Sequence, residues 1–210
     1  MDLEIVKLEH IPETYTIHIA LFQDVKNAAF LHEQLLGRNA DFEYAFIDAS
    51  INRFLTSPLF HLQVVSRMQL LSAVFKATNA AVNGALQTPN VHSEIVACLS
   101  SSKNISESYR RFGISPTTKH LLIAKVTFPT ESQPHPATSE SIAAHLHEHV
   151  EGTALSVTDE NIALATDMAK VRKYYKLNGI NWLDAMEENS PSKRHQVESL
   201  LLGSMALRGV

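Results

Sequence analysis

Three histidines stand close together in this sequence and are its first candidates for chemistry: His145, His147 and His149. On a helix, His145 and His149 would share one face at a spacing of four residues, and on a strand all three would share one. Imidazole nitrogens bind zinc at such spacings, so one hypothesis is a metal-dependent enzyme, which elemental analysis of the purified protein would test. The alternative is a polar helix surface, because the H-E-x-x-H order is absent and no second group of ligands stands nearby.

Other catalytic signatures are missing from the sequence. The glycines are dispersed singly, so there is no phosphate-binding loop, and neither a nucleophile elbow nor a C-x-x-C pair occurs. Cys98 lies in an apolar segment, where a small core residue is a simpler interpretation than a nucleophile. His92, Ser93 and Glu94 have the residue types of a triad, but neighbours on a strand point to opposite faces. The main prediction is therefore a protein that is not an enzyme and that binds no cofactor or metal.

The segment 104–115 has the signals of a short helix with both ends specified. Asn104 can accept a backbone N–H, and Glu107 can reach back to the Asn104 amide, which together form a capping box. Gly113 suits a left-handed residue just past the helix, with Ile114 folding back onto it. So short a helix needs a surrounding structure that holds its position.

Cations cluster in this helix and in a second one. Arg110 and Arg111 lie in the last turn of the capped helix, where the negative end of the helix dipole favours them. A helix predicted over 167–177 interleaves lysine and arginine with two tyrosines. Such a stripe can contact phosphates with stacking from tyrosine, dock a protein partner, or be a surface helix packed by its tyrosines. The candidate phosphate-binding residues are Lys103, Arg110, Arg111, Lys170, Arg172 and Lys173.

The bulk composition indicates an ordinary globular protein. A net charge of −4 over 210 residues gives no general bias towards nucleic acid or anionic membranes. The single cysteine, Cys98, suits a reducing compartment. No signal peptide is visible, and no uncharged apolar run approaches the roughly 20 residues of a membrane span. We expect a soluble intracellular protein with no membrane partner.

Hydrophobic periodicity predicts both strands and helices. Strands are predicted at 15–22, with one well-buried face, and at 44–48, 94–99, 120–128 and 154–157, of which 120–128 is central. Helices are predicted at 25–36, 58–82, 104–112, 141–149 and 167–177, with a last one after Ser190-Pro191 whose apolar stripe contains Val197, Leu200, Leu201 and Met205. Segment 129–139 is predicted to be a mobile surface loop, and 178–191 the loop before the last helix.

The mixture of strands and helices predicts one α+β domain over 1–210, with a central mixed or antiparallel sheet flanked by several helices. No internal repeat, low-complexity tract or break in composition indicates a second domain.

Seven short segments of the sequence, in this order along the chain, carry a resemblance to a known family: Leu21–Ala28, Ala45–Asp48, Ser93–Ile95, Asn104–Glu107, Phe112–Ile114, Arg172–Leu177 and Leu207–Val210. Together they span nearly the whole chain. They resemble the small subunit of the KEOPS (EKC) complex that binds the complex's kinase-like ATPase, and the last segment is similar to fungal members in particular.

This resemblance implies a non-catalytic subunit that binds the small kinase and stimulates its ATPase, and that contacts the other subunits through it. The complex installs threonylcarbamoyl on an adenosine of certain transfer RNAs, and fungal members are tied to telomere maintenance. We expect apolar helix surface to pack on the kinase, although Ile105 and Phe112 can equally be internal core. The candidate partner-binding residues are Asn104, Ile105, Glu107, Phe112, Ile114, Leu201 and Met205.

A second hypothesis from the resemblance is a module that holds the acceptor end of transfer RNA, as archaeal relatives do. Its candidate contacts are the six cations listed above, and its affinity should fall steeply with salt. Relatives often carry basic residues on both sides of a threonine before the Ser93-Glu94 pair. Here Thr88 is flanked by Gln87 and Pro89, which argues against direct RNA contact at these positions.

Overall fold

A computed structural model describes residues 3–49, 64–131, 133–163, 168–188 and 190–208. Its strands are β1 (Glu4–Val6), β2 (Thr16–Gln23), β3 (Ala45–Asp48), β4 (Leu121–Thr127) and β5 (Thr153–Leu155). The helices of these ranges are α1 (Ala28–Leu36), α2 (Arg67–Val82), α3 (Val91–Cys98), α4 (Ile105–Phe112), α5 (Ser139–His149), α6 (Asp159–Ala163), α7 (Met168–Tyr174), α8 (Asn181–Asp184) and α9 (Pro191–Ala206). Among them, none is both long and apolar enough to cross a bilayer.

The strands form one sheet in the order β1-β2-β4-β3, and β5 also pairs with β2. Every pairing is antiparallel. In the longest ladder Thr16 lies opposite Thr127 and Phe22 opposite Leu121, which places β4 in the centre as predicted. The prediction of an α+β domain with a central antiparallel sheet flanked by helices is confirmed.

Helices cover both faces of the sheet, so β2 is buried on both sides. Ile17, Ile19 and Leu21 pack in a core with α2, α3, α4, α7 and α9. Ala20 and Phe22 alternate with them and pack in a second core with α1 and α5. The prediction of one well-buried face for this strand was therefore incomplete, because its other residues are small or apolar enough to be covered as well.

The strand predicted at 94–99 is wrong, because these residues belong to α3. Asn90 begins this helix, and its side chain accepts a hydrogen bond from the Ser93 backbone N–H at 2.8 Å. Nearly every residue of α3 is buried. A helix covered on all sides has no amphipathic period, so Ile95 and Val96 imitate a buried strand, and tertiary packing outweighs their β-propensity.

The ends of two predicted helices differ from expectation. α1 begins after Asn27 rather than at position 25, and Asp24, just before the predicted start, has a left-handed backbone with φ 54°. Gly113 ends α4 with an extended backbone, φ −72° and ψ 155°, so the left-handed closure predicted there is wrong. Glycine is required at this position for space, because an added Cβ would lie 2.6 Å from the Tyr109 carbonyl oxygen. The chain then leaves α4 along β3, where the Ile114 N–H donates to Phe46 O at 3.1 Å.

The remaining segments follow the predicted order. The helix expected at 58–82 is present from Arg67, after a Ser66 cap, while positions 58–63 lie outside the described residues. The described part of 129–138 holds no regular element, and its mobility stays a prediction. The loop predicted over 178–191 is interrupted by the single turn of α8.

Candidate functional site

The beginning of α4 is specified as the sequence predicts. Asn104 Oδ1 accepts the Glu107 backbone N–H at 3.1 Å. The reciprocal half of the capping box is absent, since the Asn104 N–H donates to Ser102 Oγ instead, at 3.1 Å. The Glu107 carboxylate faces the helix cations, 3.5 Å from Arg111 and 4.0 Å from Arg110. Asn104 is exposed and Glu107 and Ile105 are half-buried, so a partner-binding role of these residues stays a prediction.

Four of the predicted partner-binding residues face the interior. Phe112 and Leu201 are 0% exposed, Met205 is 3% exposed, and Ile114 is 5% exposed in the second core. Their side chains are enclosed by this chain, because the sheet and neighbouring helices cover the apolar stripes of α4 and α9. A substitution at any of them acts first on the fold, and a partner must contact other side chains.

The two cationic helices meet, but their cations do not form one open stripe. The Arg111 guanidinium lies over the Tyr174 ring at 5.5 Å from its centroid, which joins α4 to α7. The Arg172 side chain is ion-paired with Asp184 and with Glu188. Because these ion pairs occupy its guanidinium group, Arg172 is not available to bind phosphate. Of the other candidates, Lys103, Arg110 and Lys173 are exposed, and the side chain of Lys170 lies outside the described part of the chain.

The three histidines of α5 do not converge. The rings of His145 and His149 meet edge to face, with centroids 4.5 Å apart, and both pack on Phe42. His145 Nδ1 lies 3.0 Å from the Tyr44 hydroxyl, whereas His147 is exposed. Within the described ranges no group of three histidine, cysteine or carboxylate side chains is placed to hold a metal ion. The arrangement is aromatic packing on the second core.

The outer face of α2 is an apolar surface that the sequence analysis missed. Met68, Phe75 and Val82, spaced by seven residues, lie on one side of the helix and are 55%, 37% and 40% exposed. The positions between them on this side are the small polar Ser72 and Asn79. We call these five residues the α2 face. The sequence feature that could have revealed this surface is the lack of any charged residue at these positions, which is unusual for a helix side that faces water.

The two charged residues of α2 bond elsewhere in the chain. Arg67 pairs with Glu4 of β1. The Lys76 ammonium donates to Met205 O at 2.9 Å and to Arg208 O at 2.8 Å, so it holds the end of α9 against α2. Leu207, between those two carbonyl groups, is 69% exposed. A fourth exposed apolar side chain is thereby fixed next to α2.

A groove lies between α1, α3, α4 and α5, and its lining includes Ala81 at the end of α2. It consists of two cavities of about 550 and 780 Å³ that share the lining residues Ala40, Glu43, Pro89 and Asn90. Each volume is in the range of about 300–1,000 Å³ that ligand pockets have. Lys125, Tyr44 and His145 line the smaller cavity, which we call the lysine end. Arg38, Arg110 and Tyr109 line the larger one, which we call the arginine end.

Titratable side chains meet at the lysine end. The Lys125 ammonium donates to Glu43 O at 2.6 Å and lies over the Tyr44 ring, and burial lowers its pKa. The Val126 N–H donates to His92 Nε2 at 3.1 Å, so the neutral ring carries its proton on Nδ1, 3.9 Å from Glu43 Oε1. Burial lowers the pKa of His92, and the nearby His92 ring lowers the pKa of the Glu43 carboxyl. Burial also raises the pKa of Tyr44 to about 12.

Folding stability should decrease as the pH falls below about 6.5, the value of an unfolded imidazole. The fold lowers the pKa of His92, so below this pH the unfolded chain binds a proton at His92 more readily than the folded protein does. For this one group the free energy of unfolding then falls by at most about 1.4 kcal/mol for each pH unit. Urea unfolding at pH 7.5, 6.5 and 5.5 measures this slope. The variant His92→Gln should be less stable at pH 7.5 but have a shallower slope, and the exposed His147→Gln should keep the original one. Equal slopes in all three proteins would contradict this assignment.

The sequence is similar to a family of known proteins along nearly its whole length. The model of a family described as "Kinase binding protein CGI-121" matches residues 22–209. A protein of Gibberella zeae named EKC/KEOPS complex subunit CGI121 is 59% identical over 210 residues, which cover 100% of both chains. Proteins of the same name from Neurospora crassa and Aspergillus fumigatus are 43% and 41% identical, over 100% of this chain and 100% and 98% of theirs.

Proposed function

The chain belongs to the CGI-121 family of kinase binding proteins, and from this premise we propose that it is the subunit of a KEOPS complex that binds and activates the complex's kinase-like ATPase. In this role it would support threonylcarbamoylation of adenosine in transfer RNA, in the cytoplasm and nucleus. Its contribution is a binding surface. We propose no catalytic step for this chain.

The α2 face is the observation that supports this proposal. Three large apolar side chains stand on one side of a well-packed helix, with only Ser72 and Asn79 between them. Apolar side chains grouped on one exposed face favour a protein interaction site. Leu207 adds to the same region through the two bonds of Lys76. A stable interface needs about 800 Å² from each partner, with a few anchors at its centre, and Phe75 lies midway along the α2 face.

The test is a binding titration of the purified chain with the kinase-like ATPase of the same organism, together with the ATP hydrolysis rate of the mixture. We expect a saturable complex and a higher ATPase rate than the kinase shows alone. No complex at micromolar concentrations of both proteins would overturn the proposal. A complex without faster hydrolysis would keep the binding role and remove activation.

RNA binding is a second candidate function, and the groove favours it. Unpaired nucleotides are bound by aromatic rings that stack on bases and by cations that contact phosphates. The half-buried Tyr109 lines the arginine end, where the exposed Arg38 and Arg110 also stand, whereas Tyr44 at the lysine end is covered by Lys125 and His145. Of the cations that the sequence analysis selected, only Arg110 is among the residues that line the groove. The proposed ligand is a single-stranded end of transfer RNA.

The dependence of affinity on salt tests this second function. Each phosphate contact to a single strand contributes a slope of about −0.7 to a plot of log affinity against log salt concentration. The double variant Arg38→Ala, Arg110→Ala should therefore flatten the slope for transfer RNA by about 1.4. Arg194→Ala, which removes an exposed cation of α9, serves as the control. Binding that does not depend on salt, or an unchanged slope in the double variant, would exclude phosphate contacts in the groove.

A further inference from the structure

Glu94 is a buried acid that neither proposed function uses, and its contacts are unusually complete. It is 4% exposed and lies in the first turn of α3. One carboxylate oxygen, Oε2, accepts the Gln87 N–H at 3.0 Å, the Thr88 N–H at 2.9 Å and the Thr88 hydroxyl at 2.7 Å. The other oxygen lies 4.0 Å from the Cys98 sulfur. Three donors therefore meet on one carboxylate oxygen at the first turn of α3.

We propose that Glu94 is the positioning residue of the groove, which it keeps in the shape that receives single-stranded RNA. The segment that it anchors leads directly into Pro89 and Asn90, and these two residues line both the lysine end and the arginine end. The inference rests on the proposed RNA-binding function and adds to it the residue that fixes the wall between the two cavities.

Pro89 and Asn90 form this wall, and the local structure explains why they must be held in place by the residues that precede them in sequence. The Asn90 side chain is used to cap α3, because it accepts a hydrogen bond from the Ser93 N–H. Pro89 has no N–H to donate. The position of the wall therefore depends on Gln87 and Thr88, whose backbone N–H groups both donate to Glu94. The Thr88 hydroxyl also lies 3.0 Å from Asn90 O. A carboxylate holds all these donors at one point because it accepts hydrogen bonds and donates none.

The experiment compares Glu94→Gln with the unchanged protein in three measurements. Hydrogen exchange at the amides of Gln87 and Thr88 should become about tenfold faster, because bonds to a charged acceptor are about twice as strong as those to a neutral amide. Affinity for transfer RNA should fall at least about fivefold. Affinity for the kinase-like ATPase should stay within twofold, because Met68 and Phe75 of the α2 face are not among the residues that line the groove. The control is Glu140→Gln, since Glu140 is also a first-turn acid but is exposed on α5.

The outcomes separate this inference from the function on which it rests. The positioning role is overturned if hydrogen exchange at both amides is the same in Glu94→Gln as in the protein without the substitution. It is also overturned if that protein binds RNA and Glu94→Gln binds it with the same affinity. A parallel loss of kinase binding shows that Glu94 supports the whole fold, which also overturns it. If the unchanged protein does not bind transfer RNA, the proposed RNA function fails, and the groove role fails with it. Should Glu94→Gln not fold, Thr88→Val removes only the hydroxyl donor, and we expect the same changes at a smaller size.

Discussion

Replacement of Phe75 by aspartate should weaken binding of the kinase-like ATPase by at least about 30-fold. A central aromatic anchor contributes about 2 kcal/mol or more to an interface, and each 1.4 kcal/mol is a factor of ten in affinity. Aspartate also places a charge in the middle of the α2 face, where a partner would have to strip it of water. Titration calorimetry with the purified kinase measures the change directly.

The chain offers a closely matched control for this variant. Phe30 of α1 is 40% exposed, against 37% for Phe75, and it packs on the opposite side of the sheet. Phe30→Asp therefore makes the same chemical change at a similar depth on another surface, and it should leave kinase affinity within about twofold if α2 carries the interface. Equal losses in the two variants would mean that the α2 face is not the docking surface. Melting temperatures of both variants show whether any loss reflects unfolding.

Truncation of Phe112 to alanine should lower the free energy of unfolding by about 3–5 kcal/mol. The ring is fully buried where α4 meets the sheet and contacts the Tyr174 ring edge to face, with centroids 6.1 Å apart. Removing it leaves a cavity among neighbours that include Ile47 and Val171, both 0% exposed, which cannot collapse freely. For a chain of this length the melting temperature should fall by about 6–20 °C. Urea unfolding at neutral pH gives the free energy.

This variant also separates an interior role of Phe112 from a partner-binding one. Below its melting temperature, folded Phe112→Ala should bind the kinase nearly as well as the unchanged protein, because the side chain does not reach the surface. Ile105→Ala, a truncation of a half-buried residue on the same helix, should cost about 1–2 kcal/mol and serves as the reference. A large loss of affinity in Phe112→Ala without a loss of stability would contradict the burial seen here.

How far the sequence predicts this fold depends on the element. β2 and β4 were predicted to within one or two residues, because alternating or continuous apolar runs with polar ends are local signals. The start of α4 was predicted for the same reason, since Asn104 and its N–H partner at Glu107 are three residues apart. α3 was misread as a strand, because an element covered on all sides carries no periodic polar face.

The candidate site was predicted much less completely. The resemblance in sequence led to the correct family, but the interface residues chosen from it include Phe112, Leu201 and Met205, which are core residues. An apolar stripe has the same appearance in sequence whether the chain or a partner covers it. The α2 face was overlooked for the converse reason, because its residues lie within a long apolar segment that reads as entirely buried.

The sequence by itself determined the family, the class of fold, the capped start of α4 and the central place of β4. Each of these depends on residue types at short spacings, where the chemistry of neighbours along the chain decides the result. Only the tertiary structure decided that Phe112 turns inward, that Phe75 remains exposed, and that Glu94 anchors the wall of a groove. The burial of these side chains depends on which distant segments come to cover them, and no local pattern carries that information.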